Sequence, residues 1–208
     1  MYFNPLILST ALVSFCAFVH AHTPELIYRG ESRNPREIKA TGGFLARGGL
    51  FGVPKDDSMS YRHQVEDPRG KGIANRTPWI SCTADLSYGK LWVSRAWSQY
   101  QTYVYYINTD LINTEIVDVA AAYQNDNLVY PCPHQQEFMV RDRIPWAAIV
   151  GWDIMQHGTV ISHGLPGSED YVKYTNPAPR PRVRRTVSSS TTYDTPGHPT
   201  TNVCHWIR

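Results

Sequence analysis

The chain has 208 residues, 42% of them apolar and 12% aromatic, with a formal net charge of +2. That composition can bury a core and excludes a disordered chain. It also lacks the basic stripe of a protein that coats nucleic acid, since the only dense run of cations is RPRVRR near the end.

The opening residues, MYFNPLILSTALVSFCAFVHA, read as a secretory signal peptide, an apolar run closed by Val19-His20-Ala21. The competing reading is a membrane anchor, because no Lys or Arg precedes the run. Against it, Pro5, Ser9 and Ser14 interrupt a segment already short for a span. The expected organisation is a signal peptide over 1–21, one folded domain over 22–175 and a tail over 176–208. The mature chain is then secreted and extracellular, without a membrane span. Removal of Cys16 leaves Cys82, Cys132 and Cys204, enough for one internal disulfide. Asn75-Arg76-Thr77 is an N-glycosylation sequon, which suits a surface loop.

In chain order, LIYRG (26–30) reads as a strand. Residues 35–41 read as a short helix with Asn34 as N-cap, Pro35 in the first turn and Gly42-Gly43 ending it. Residues 46–76, rich in Gly, Pro and charge, read as a long loop of functional interest. PWISCT (78–83) is a strand and 85–98 a helix. TYVYYIN (102–108) is the clearest strand, β-branched and aromatic throughout. A short helix is expected over 114–122, a strand at HQQEFMV (134–140), and another at AAIVGWDIM (147–155) with VISHG as its partner. Strands interleaved with helices without regular βαβ spacing indicate an α+β fold. No internal repeat is present. From about Asn176 the composition turns to Pro, Ser, Thr and Arg, which cannot form a core alone.

Chemistry-bearing candidates are Arg29 on a strand, the loop residue His63, the hydroxyl pair Ser81 and Thr83, and Glu137. Each alone has an ordinary structural explanation. If HQQE lies on a strand, Gln135 and Glu137 face the same way, because strand side chains alternate.

Together, and in this order, these residues resemble the mono-ADP-ribosyltransferase toxins, in particular the A chains of cholera and heat-labile enterotoxins and the pertussis catalytic subunit. Tyr28, Arg29, Glu31, Ser32, Arg33, Pro35 and Gly42-Gly43 match that family's opening in register. YRHQ places His63 at its active-site histidine, and WISCT resembles its Ser-Thr-Ser strand. YVYYIN and AAY (121–123) follow in order, and HQQE falls at its Glu-x-Glu or Gln-x-Glu motif. RIPWAAIVGW matches through Ile144, Pro145, Ile149, Gly151 and Trp152. The resemblance covers about residues 24 to 160.

It implies two packed, mainly antiparallel sheets flanked by short helices, and NAD+ as co-substrate with no metal. It implies a catalytic set of Glu137, Gln135, Ser81 and His63, and NAD-binding Arg29, Glu31, Arg33 and Thr83. Glu137 would stabilise positive charge on the ribose as nicotinamide leaves. Ser81 would fix its rotamer, and Arg29 would meet the pyrophosphate or frame the site. His63 would help bind NAD+ or order its loop. Cys82, pointing the other way, would be a packing residue. The expected activity is ADP-ribosyl transfer with NAD+ glycohydrolysis alongside. The acceptor would be a target-cell protein or a nucleic acid, and no receptor-binding partner chain is evident in the sequence. Gln135 stands where the arginine-modifying enterotoxins carry an acid. An amide suits a neutral acceptor better than a guanidinium. Those enterotoxins are nicked in a loop bridged by a disulfide. By that analogy Arg182–Arg185 is a processing site bridged by Cys132–Cys204, with a solvated linker and a Cys82–Cys132 bond as the alternatives.

Two other readings remain. An N-terminal His22 could bind copper with His134, His157 or His163, as in copper-dependent oxygenases. A chain of the same fold could also be a catalytically inactive binding protein.

Overall fold

A computed structural model of the chain describes residues 23–50, 54–66, 75–97 and 99–165. The expected signal peptide, the start at His22, the tail over 176–208 and its Arg182–Arg185 run lie outside these residues.

Strand β1 (Leu26–Glu31) leads into helix α1 (Pro35–Ala40), strand β2 (Gly43–Leu45), and helices α2 (Arg47–Leu50) and α3 (Tyr61–Glu66). Strand β3 (Trp79–Thr83), helix α4 (Leu86–Ala96) and strand β4 (Thr102–Asn108) follow. Then come β5 (Ile116–Asp118), α5 (Val119–Asn125), β6 (Glu137–Arg141), β7 (Arg143–Pro145), β8 (Ile149–Gln156) and β9 (Thr159–His163). The α+β class is the one expected. Seven strands form one sheet in the order β5-β6-β3-β1-β4-β8-β9, every neighbouring pair antiparallel, and β2-β7 form a second, two-stranded sheet.

Local signals explain most of these elements. Asn34 and Glu37 close a capping box on α1, and Gly42 (φ 74°) and Gly43 (φ 120°) take the left-handed backbone that ends it. Asp85 caps α4 by accepting from the Ser87 and Tyr88 amides. Three expectations need correction. The stretch 46–76 is not loop throughout, because it carries α2 and α3. The helix expected over 114–122 begins only at Val119, capped by Asp118 through the Ala121 amide, and residues 116–118 form an edge strand instead. The strand expected from His134 starts at Glu137, because Pro133–Gln135 is a 3₁₀ turn and Gln136 is left-handed, with φ 43°.

One face of the large sheet buries Ile27, Ile80, Cys82, Tyr105, Phe138 and Trp152 beneath α1 and the β2-β7 pair. Phe44 of β2 meets Tyr105 edge-on at 5.1 Å. The other face is covered in two places. Helix α4 packs Val93 on Val104 and Met155, while α3 and α5 bring Val65, Val119 and Tyr123 onto Trp79 and Met139. Strands β1 and β3 share a single pairing, Tyr28 with Thr83, so the sheet opens between them. Helix α4 comes down directly on β1 there. A Cβ on Gly30 would lie 2.4 Å from Val93 Cγ1 and 2.8 Å from Trp92 Cε3, closer than packed atoms allow.

Candidate active site

At the open seam, Arg29 does what a backbone ladder would otherwise do. Its Nη1 donates to the Ser81 carbonyl at 2.6 Å. Its guanidinium also lies 5.4 Å over the Phe44 ring, and its buried Nε has no hydrogen-bond acceptor among the described residues. A cleft opens here, lined in part by Arg29, Arg47, Gln64, Thr77, Ser81 and Trp92.

The cationic side of the cleft is built on Glu31. Arg33 Nη2 donates to its Oε2 at 2.6 Å, Arg29 Nη2 stands 3.9 Å away, and the Ser32 amide donates to Oε1. Burial pushes the Glu31 carboxyl up, but the Arg29 and Arg33 charges outweigh it and hold the group below its ordinary range. Burial, then the positive fields of Arg29 and Arg33, depress Arg47 below its usual value. Three guanidiniums around one carboxylate leave a net positive site suited to an anion.

Glu137 is the acidic group next to the cleft, on the far side of Ser81 from Arg29. It pairs with Thr83 across β3–β6, so Ser81, Thr83, Glu137 and Met139 share one face by alternation. Glu137 is 6% exposed. Tyr130 donates its hydroxyl to Oε2 at 2.9 Å, and the Ser81 hydroxyl is a second donor. Burial raises the carboxyl to about 7 even though both donors lower it. A group at that value exchanges between charged and neutral forms around neutral pH.

Arg29, Glu31, Arg33, Ser81 and Glu137 therefore stand at or next to one cleft. Thr83 does not face it. It is fully buried, donates to the Gln135 carbonyl at 2.6 Å and accepts from the Asp85 amide. It ties the turn before β6 to the start of α4. Gln135 is 2% exposed and lies on that turn, not on the strand with Glu137. His63 is exposed, with Nδ1 3.0 Å from the Ser60 hydroxyl. Its neighbour Gln64 turns inward instead and donates to Ser81 Oγ at 2.6 Å. Tyr61 and Val65 settle the matter, because both pack on the Trp79–Tyr123 cluster and roll α3 so that Gln64 faces β3. The pattern Tyr61, Gln64, Val65 has the i, i+3, i+4 spacing of a buried helix face, and so the signal was present in the sequence.

Tyr130 and Thr77 had no such signal as site residues. Thr77 stood out only as the last residue of the sequon, whose Asn75 is exposed here. Cys82 is a free, fully buried thiol, pushed by burial up to about 12. Cys132 is disulfide-bonded, so the Cys82–Cys132 alternative is not realised, and Cys204 lies outside the described residues. Of the histidines considered for copper, His134 meets the Tyr88 ring edge-on and His163 Nδ1 bonds Asp153, while His22 lies outside the described residues.

The sequence model of the heat-labile enterotoxin alpha chain family matches residues 5–194. Among curated proteins, an NAD(+)–arginine ADP-ribosyltransferase of Vibrio cholerae, Chelt, is 30% identical over 74% of this chain and 25% of its own length. The heat-labile enterotoxin A chain of Escherichia coli is 27% identical over 76% of this chain and 62% of its own. The chain thus spans less than two thirds of these relatives. Among solved structures, a heat-labile enterotoxin aligns over 64% of this chain and 69% of its own at 23% identity, with a TM-score of 0.48. A guanine-specific ADP-ribosyltransferase aligns over 67% and 72% at 20% identity, with a TM-score of 0.46.

Proposed function

The chain belongs to the heat-labile enterotoxin alpha chain family, and we propose that it cleaves NAD+ and transfers ADP-ribose to a macromolecule of a target cell. One observation carries this reading. Ser81 joins two opposite sites, its carbonyl held by Arg29 of the cationic cluster and its hydroxyl bonded to the buried Glu137. NAD+ has matching ends, an anionic pyrophosphate and a ribose that becomes cationic as nicotinamide leaves.

In this reading Arg29, Arg33 and Arg47 neutralise the pyrophosphate, with Glu31 keeping the first two guanidiniums in place. Glu137, as carboxylate, stabilises the developing ribosyl cation. The bond between ribose C1′ and the nicotinamide nitrogen breaks, and nicotinamide leaves with the electron pair, neutral and without protonation. The acceptor's lone pair then forms the new bond to C1′ and its proton passes to solvent. With water as acceptor the products are ADP-ribose and nicotinamide. Ser81 and Tyr130 fix the carboxylate, and Thr83 positions the turn that precedes it.

The acceptor is read from residue type alone. An amide at Gln135 in place of an acid favours a neutral acceptor over arginine. The chain is read as a secreted toxin acting in or on a target cell. The test incubates the chain with NAD+ and measures released nicotinamide, beside Glu137→Ala. The variant should be slower by about a hundredfold or more. No release by either protein would leave an inactive binding protein of this fold. Mass spectrometry of lysate proteins and nucleic acid treated with labelled NAD+ then names the acceptor, and modification of arginine alone would overturn the reading of Gln135.

A further inference from the structure

Behind Ser81 lies a buried polar line that the reaction as described does not use. The Trp79 amide donates to Thr77 Oγ1 at 3.1 Å, and the Thr77 hydroxyl donates to Gln64 Oε1 at 2.5 Å. Gln64 Nε2 then donates to Ser81 Oγ at 2.6 Å, and Ser81 faces Glu137 diagonally across the β3–β6 pair, where its hydroxyl helps to hold the carboxylate charged. Gln64 is 5% exposed and Thr77 2%. We propose that Gln64 and Thr77 are positioning residues for Glu137, forming with Ser81 a one-way line of donors that ends on its carboxylate. The inference rests on the reading of Glu137 as the catalytic carboxylate.

The placement of the Gln64 amide sets the direction, with its oxygen on Thr77 and its nitrogen on Ser81. A hydroxyl has one proton to give. Thr77 Oγ1 accepts from the Trp79 amide and gives its proton to the Gln64 oxygen. The Gln64 nitrogen is thereby directed to Ser81. Ser81 Oγ, now accepting, keeps its single proton for Glu137. With the amide turned around, Ser81 would have to donate to Gln64 Oε1, and Glu137 would lose one of its two hydroxyl donors. Donors in series polarise one another most in buried surroundings, and Gln64, Thr77 and Ser81 are all buried. Neither Gln64 nor Thr77 titrates, so pH acts on this line only at its last link, Ser81 to Glu137.

The other groups around Glu137 do not duplicate this. Tyr130 reaches its Oε2 from the segment before β6 as an independent donor. Tyr88 of α4 and Cys82 of β3 both feel the Glu137 charge, and burial keeps both protonated well above neutrality. Arg29 of β1 spends its nearest donor on the Ser81 carbonyl.

The experiment titrates Glu137 directly. The full chain is labelled at the glutamate side-chain carbonyl carbon, and the Glu137 signal is identified by its loss in Glu137→Gln. Thr77→Val and Gln64→Leu should each move the Glu137 midpoint up by about one unit, while Thr77→Ser leaves it in place. The acid limb of nicotinamide release should move by the same amount. Should Thr77→Val fail to fold, Gln64→Leu reads the same line one link nearer, and a shift in Thr77→Ser would count against it. A midpoint indifferent to Gln64→Leu in a folded chain overturns the proposal. Release of nicotinamide with such an indifferent midpoint would sink the line and spare the enzyme. A midpoint that moves in a chain releasing none would do the reverse.

Discussion

Replacing Glu137 with glutamine should make the protein more stable at high pH and leave that gain absent at low pH. The carboxyl has an ordinary value of 4.5 and is raised to about 7 in the fold, with burial as the main cause. Between these values the folded chain holds a proton that the unfolded chain has released. Stability therefore falls as pH rises through that window, and the whole contribution survives only below it. A gap of about 2.5 units at about 1.4 kcal/mol each is roughly 3.5 kcal/mol over the full range. From pH 5 to pH 8.5 the same two values leave about 2.5 kcal/mol of it to be seen. Glutamine at 137 does not titrate, and its altered bonds to Tyr130 and Ser81 cost about the same at both pH values. The assay is urea unfolding of both proteins, followed by tryptophan fluorescence at pH 5 and pH 8.5. The advantage of the variant should grow by about 2.5 kcal/mol between them. A change under about 0.5 kcal/mol would mean that Glu137 is not held charged against its burial, and the electrostatic argument would fail. The same substitution should abolish nicotinamide release, so the gain in stability and the loss of activity share one cause.

Tyr130→Phe removes one donor at 2.9 Å from a buried carboxylate. A bond of that kind is worth about 1.5–3 kcal/mol, or about one to two units. The pH profile of nicotinamide release should shift up accordingly, with activity falling about five- to fiftyfold at pH 7 and largely returning by pH 9. A uniform loss at all pH values would show that Tyr130 acts through packing instead. Cys82 should resist iodoacetamide in the folded chain at pH 8, since a thiol at about 12 is almost wholly protonated and this one is fully buried. Labelling of Cys82 before urea is added would contradict the packing of β3. Gly30→Ala should destabilise the fold by about 1–3 kcal/mol in thermal unfolding, because α4 leaves no room for the methyl group. An unchanged melting temperature would show that α4 yields at little expense.

The parts of the fold that were legible carry their cause within a few residues. TYVYYIN is β-branched and aromatic along its length, and it is the strand β4 with both neighbours paired. Asn34 and Pro35 announce α1, and the glycines after it announce its end. What stayed hidden depends on distant partners. Strands β2 and β7 are three residues each and lie about a hundred residues apart in sequence, paired through Phe44 and Ile144. Three residues carry no readable period. The helix start at Val119 was readable from Asp118, but the strand just before it exists only because β6 offers an edge.

In the site the same division holds, with one instructive exception. Arg29, Glu31, Ser81 and Glu137 were singled out by type and order, and the structure brings them to one seam. Gln135 and Glu137 were expected to share a face through strand alternation. The left-handed Gln136 removes that reason, and Gln135 is held by its carbonyl on Thr83 instead. His63 and Gln64 differ by one position, which on a helix is a rotation of about 100 degrees. Residue type favoured the histidine, while the packing of Tyr61 and Val65 turned the amide inward. An inward histidine could gain or lose a proton near pH 6.5, and with it the direction of its bond to Ser81. An amide cannot. The choice made here leaves Glu137 and its burial to set the pH response of the site, so the acid limb of any NAD+ cleavage should report one group and not two. A limb with the steepness of two protons would point to a second titrating partner and away from Gln64 as the residue that holds Ser81.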